Sequence, residues 1–126
     1  MSKIKCTTLA NASDSKSVPV DTIVQGSAKA WVSFNGVGVP SIRAAFNVAS
    51  ITDVNVGIYT LNFTNAMPDA NYSVGGFVQI GTATTYIKTI AQISGDTMTA
   101  SALMVRTSSG GTSTVDADIG CVQVYR

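Results

Sequence analysis

From Ala28 onward the chain alternates apolar and polar positions with a period of two. Ala28, Ala30, Val32 and Phe34 fall on one side of an extended segment, with Lys29, Trp31 and Ser33 on the other. Asn35-Gly36 is a turn signal, lengthened by Gly38 and Pro40. Ile42 to Ile51 then reads as one strand, with Ile42, Ala44, Phe46 and Val48 sharing one face and Arg43, Ala45, Asn47 and Ala49 the other. After a turn at 53–57, Tyr59, Leu61 and Phe63 alternate with Ile58, Thr60, Asn62 and Thr64. The pattern predicts that these three strands form a meander with one large apolar face.

The second half continues in the same manner. A loop around Pro68 leads to a strand over Tyr72–Ile80, in which Gly75-Gly76 marks a bulge or a close backbone approach. A strand over Thr84–Ile93, a tight turn at Ser94–Asp96 and a strand over Thr97–Arg106 follow. Thr107–Thr114, rich in Ser, Thr and Gly, reads as a flexible loop, and Val115–Tyr125 as the last strand. Turn signals spaced roughly every 8 to 12 residues, with no sustained helical period, predict an antiparallel sandwich or barrel.

Residues 1–27 differ from the rest. Ile4, Leu9, Val18, Val20 and Ile23 are isolated apolar points among Thr, Asn, Ser, Lys and Asp. Asn11–Ser17 is a loop by composition, and Val18–Val24 is expected to be extended because Pro19 disfavours helix at the residue before it. The segment is too thin in apolar residues for a core of its own and is expected to pack on another chain.

Composition narrows the function. The 126 residues carry only 12% charged side chains, against about a quarter in ordinary domains, and no Glu. Ser, Thr, Asn and Gly take the place of the missing charge, which favours strands over helices and a surface partly covered by other chains. Lys and Arg are scattered singly, so no basic run exists for a nucleic acid. No stretch approaches the roughly 20 apolar residues of a membrane span, so membrane insertion is not expected. The first residues lack the apolar core of a secretory signal, and Cys6 and Cys121 are read as reduced thiols.

With no His, the chain lacks the usual general base and any His-containing metal site. Asp116 and Asp118, two apart on an expected strand, would share a face; a solvated face or pairing with a neighbouring chain suits them better than a calcium site, which needs six or more oxygens. No catalytic residue, metal site or cofactor is expected. Trp31 is expected to pack in a core or at a subunit interface.

The run from Gly26 through Lys-Ala-Trp-Val-Ser-Phe-Asn-Gly (29–36) and Ile-Arg-Ala-Ala-Phe-Asn-Val (42–48), with Tyr-Thr-Leu-Asn-Phe (59–63) and Ala-Met-Pro-Asp-Ala-Asn-Tyr (66–72), resembles a module of tail-fibre and related virion proteins of tailed bacteriophages. The opening Ser-Lys-Ile-Lys-Cys-Thr-Thr-Leu-Ala-Asn (2–11) also looks like the start of small fibre proteins. The likeness covers about the first two-thirds of the chain; the turn at 53–57 has fewer glycines than the usual pattern. It implies an all-β protein, an antiparallel, jelly-roll-like β-sandwich over 28–126, preceded by an extended segment, 1–27, that docks on other tail or baseplate proteins. It further implies a homotrimer in the virion, made in the host cytoplasm, whose distal domain meets a host-surface glycan or protein. A capsid decoration or head-fibre protein, a non-catalytic carbohydrate-binding module and a tailspike-like enzyme are the rival classes; the last is disfavoured by size and by the lack of opposed carboxylates. Receptor contact is expected at loops Gly81–Thr84, Ser94–Asp96 and Thr107–Thr114, above all at Ser108, Ser109, Thr112 and Ser113.

Overall fold

The computed structural model describes residues 3–81, 88–92, 95–110 and 113–126. The elements in order are β1 (Thr8–Ala10), β2 (Ser17–Pro19), α1 (Val20–Gly26), β3 (Ala28–Asn35), β4 (Ser41–Phe46), β5 (Val48–Asn55), β6 (Ile58–Phe63), β7 (Ser73–Gln79), β8 (Lys88–Ala91), β9 (Ala102–Ser109), β10 (Ser113–Thr114) and β11 (Ile119–Tyr125). The fold is the antiparallel β-sandwich expected for residues 28–126. One sheet runs β4-β3-β11-β7; the other runs β10-β9-β6-β5, with β8 also paired to β9.

The alternation of β3, β6, β9 and β11 supplies the core. Ala30, Val32 and Phe34 face Val122 and Val124 within one sheet and meet Tyr59, Leu61, Leu103 and Val105 from the other. Phe34 and Tyr59 pack edge to face with ring centroids 5.1 Å apart, and Phe63 and Tyr72 do the same at 5.9 Å. Tyr72 and Met67 close the core from the loop that precedes β7.

The expected strand over Ile42–Ile51 is two strands in opposite sheets. β4 pairs with β3 and β5 with β6, so the first three strands form no meander. The break is Asn47, whose φ of 56° no extended strand holds. Its side chain fixes the corner: Nδ2 donates to the carbonyls of Lys29 and Asn65, and Oδ1 accepts the Asn65 N–H at 2.7 Å. Asn tolerates the left-handed region better than most residues. The consequence is a change of face: Val48 is buried, whereas Ile42 and Phe46, expected beside it, lie exposed.

Gly76 proves to be a close approach. A Cβ there would stand 2.6 Å from Ile90 Cγ2, so the glycine lets β8 close against β7. The last strand begins at Ile119, later than expected, and 115–118 is loop.

Residues 3–27 contribute nothing to the buried core. β1 and β2 form a hairpin whose loop is held by Asn11, with Nδ2 donating to Ser13 and Ser15 and Oδ1 accepting from the Lys16 N–H. Val20–Gly26 is helical, correcting the extended reading of 18–24. Pro19 does keep Val18 extended, but it stands at the N-cap, with φ −59°, where its missing N–H costs no helical bond. Asp21 lies in the first turn, on the favourable end of the dipole, and Lys29 Nζ donates to the Val24 carbonyl and to Ser27 Oγ at the other end.

Candidate functional site

The strand directions give the sandwich two ends. At one end Ala28 pairs with Tyr125, and the Asn47 corner and the loop at 64–72 lie there too. The N-terminal segment leaves from this end. At the opposite end gather the turn at 36–40, the turn at 56–57, the end of β9 with β10 and the loop at 115–118.

This far tip is organised by Tyr59. Its hydroxyl is buried and shares its hydrogen between Asp116 Oδ1 at 3.1 Å and the Gly36 carbonyl at 3.2 Å, while accepting the Ala117 N–H at 3.2 Å. Asp116 Oδ1 also accepts the Gly57 N–H at 2.7 Å. Burial, with the Asp116 carboxylate beside it, pushes the Tyr59 phenol from 10.0 up to about 12, against the lowering effect of the Ala117 N–H. Gly57 has φ 64° and backbone close by, with Val115 N 2.6 Å from where a Cβ would stand, so only glycine fits. Gly36 leaves room for the Tyr59 ring in the same way.

Both aspartates singled out in the sequence serve these turns. Asp118 accepts the Gly81 N–H through its carboxylate, and its backbone carbonyl accepts Arg43 Nη2 at 2.7 Å. They flank the buried Ala117 in a loop and do not share a strand face. Among the described residues no three metal-ligating side chains come together.

The stretch expected as a flexible loop is largely strand. Thr107, Ser108 and Ser109 belong to β9, and Ser113 and Thr114 form β10 against it. Thr107 is fully buried, donating its N–H to the Gly57 carbonyl at 2.8 Å and its hydroxyl to the Val115 carbonyl at 2.6 Å. Ser108 Oγ lies 2.7 Å from Thr89 Oγ1 across the β8–β9 pair. Ser109 is half-buried and Ser113 exposed at the tip; Thr112 lies outside the described residues. Of Gly81–Thr84 only Gly81 is described, at the tip. Of Ser94–Asp96, Gly95 and Asp96 are described: Arg106, which pairs with Ile58 next to the 56–57 turn, grips Asp96 through Nε and Nη2 at 2.7 to 3.0 Å, and Thr97 pairs with Met104.

What the sequence reading missed at the tip is apolar. Val37, Val39 and Val56 are exposed on the two turns that Tyr59 and Asp116 hold, Val39 at 88%. The signal was available as valines placed in turns, where burial cannot explain them.

A second feature is a cavity of about 280 Å³ at the open seam between β7 and β8, lined by Tyr72, Val74, Gly76, Ile90, Gln92 and Met98 among others. Two of its polar side-chain groups are engaged within the chain. Tyr72 OH donates to the carbonyls of Thr99 and Ala102, and Gln92 Nε2 to that of Met104.

No family model, curated protein or solved structure matches the chain.

Proposed function

We propose that the chain is a non-enzymatic structural protein of a tailed-bacteriophage virion, a trimeric fibre module that docks through residues 1–27 and meets the host surface with the opposite tip. The observation that carries this reading is the polarity of the sandwich. A segment with no share in the core leaves from one end, and rigidly held turns with exposed valines and hydroxyls gather at the other. The sequence resemblance to fibre modules supports the same reading. The tip contact combines Val37, Val39 and Val56 with Ser109 and Ser113 and takes a host glycan or protein, three copies adding avidity to a weak single contact.

The test is adsorption. Phage carrying Val39→Asp with Val56→Asp should lose adsorption to host cells by at least about tenfold while the particles still assemble, the loss of avidity magnifying a weakened single contact. Gold labelling of the protein should mark the tail. Label on the capsid would assign a head-fibre or decoration role instead, and unchanged adsorption would remove the tip as the contact.

A further inference from the structure

The two outer faces of the sandwich differ in chemistry. That of the β6–β9 sheet is mixed and carries no aromatic ring among the described residues: Asn62 Nδ2 donates to Ser50 and Thr52, Ser108 meets Thr89, and Met104 and Arg106 share the face. Across the β4-β3-β11-β7 sheet the outward side chains include Phe46, Trp31, Phe77 and Tyr125, which are 54, 39, 58 and 38% exposed. At about 200 Å² for each aromatic side chain, they leave roughly 400 Å² of aromatic surface in water. That is about half of the roughly 800 Å² a stable interface takes from each partner, on one face of a small domain.

No carboxylate lies in the two rows at the centre of this face. The cations at its margins are engaged within the chain, Lys29 with Val24 and Ser27 and Arg43 with Asp118. Like faces can therefore meet without repulsion, which suits a second copy better than a charged partner.

The register adds a shape argument. One row across the sheet reads Phe46, Trp31, Gln123, Gly75; the next reads Ala44, Ser33, Cys121, Phe77. The Cys121 Sγ to Ser33 Oγ distance of 3.7 Å confirms that these two share the face. Bulk lies at opposite ends of the two rows. A rotation axis parallel to the strands sets the β4–β3 half of one copy against the β11–β7 half of the next at the same height. Phe46 then meets Gly75, Trp31 meets Gln123, Ser33 meets Cys121 and Phe77 meets Ala44, so that each Phe lies over a small residue.

We infer that copies of this chain associate through the outer face of the β4-β3-β11-β7 sheet, about an axis parallel to its strands, with Phe46 of one copy seated over Gly75 of the next. The inference rests on the fibre reading only in taking the partner to be this same chain. All copies would point their N-terminal segments the same way.

Gly75 allows a clean test. A Cβ there meets only Gln123 Oε1, at 3.7 Å, so the monomer tolerates a side chain. Gly75→Arg should keep the circular dichroism spectrum of the parent yet run as a monomer in light scattering, with Trp31 emission shifted to the red. Thr60→Arg, on the other outer face, should leave mass and emission unchanged. Ala44→Arg repeats the first result at the second seat and guards against a folding defect peculiar to Gly75. If folded Gly75→Arg and Ala44→Arg keep the parent's oligomeric mass, this face is not the interface, although the fibre reading survives. A parent chain that is monomeric at micromolar concentration overturns the inference and the trimer together, while the docking and tip contacts stay open to the adsorption test.

Discussion

The Tyr59 hydroxyl sits where the turn at 36–40, the turn at 56–57 and the loop before β11 meet, buried among its three partners. Tyr59→Phe keeps the ring against Phe34 but leaves the Ala117 N–H without its partner and takes a donor from Asp116. The expected loss is about 1–3 kcal/mol in urea unfolding, the cost of an unsatisfied buried group. The same phenol gives an alkaline limit. Unfolded, it ionises near 10.0; folded, it holds its proton to about 12. Its contribution is therefore complete below about pH 10 and is lost as pH rises from there towards about 12, since the unfolded chain sheds the proton first. Burial raises Tyr72 in the same direction. Unfolding free energy followed from about pH 9 to about pH 12 should fall, and fall less steeply in Tyr59→Phe, where the contribution of Tyr72 remains. A parallel slope in the two proteins would show that Tyr59 is not the group responsible.

At the scale of elements, strand identity was legible wherever apolar residues alternate without a corner. Ala28–Phe34 and Tyr59–Phe63 carry the faces that the pattern assigns, with Trp31 on the outward, exposed side and not in the core. Asn47 was not legible as a sheet switch, because it sits in phase with the alternation on both sides and only its φ and its bonds to Lys29 and Asn65 reveal the corner. Asn47→Ala strains φ and removes the side-chain bonds to both, so a loss of about 2–4 kcal/mol is expected, with Asn47→Gly losing less because it keeps the backbone free. Calorimetric melting of the pair separates strain from lost bonding. Thr107–Thr114 failed for a different reason: composition records hydroxyls but not whether they are used. In Thr107 the hydroxyl is a buried structural donor, so the isosteric Thr107→Val should cost about 1–2 kcal/mol, whereas Ser113→Ala at the exposed tip should change stability by less than about 0.5 kcal/mol. The short α1 escaped notice because a helix of 7 residues offers too little period to detect, and a proline that reads as a breaker serves as its cap.

For the whole molecule, the sequence sets a thin leading segment, 1–27, apart from a β domain, 28–126. Among the described residues every buried residue of the core lies at or beyond Ala30, and the leading hairpin and helix bury none of their side chains in it. The bonds from Lys29 Nζ to Val24 and Ser27 cross the boundary, and they lie on the surface. Removing residues 1–27 therefore takes away nothing that the sandwich needs for its core. The truncated chain should melt within a few degrees of the full one, corresponding to less than about 1 kcal/mol for a domain of this size. It should also keep the parent's oligomeric mass, since the aromatic face of the β4-β3-β11-β7 sheet is intact. Under the proposed function it should fail to join the particle, because the docking end has gone while the tip remains. Light scattering and melting of the truncated protein check the first two outcomes, and its content in purified particles checks the third. A large drop in melting temperature would mean that the leading segment packs on the sandwich of another copy, and the boundary at residue 27 would then divide the chain but not the folded unit.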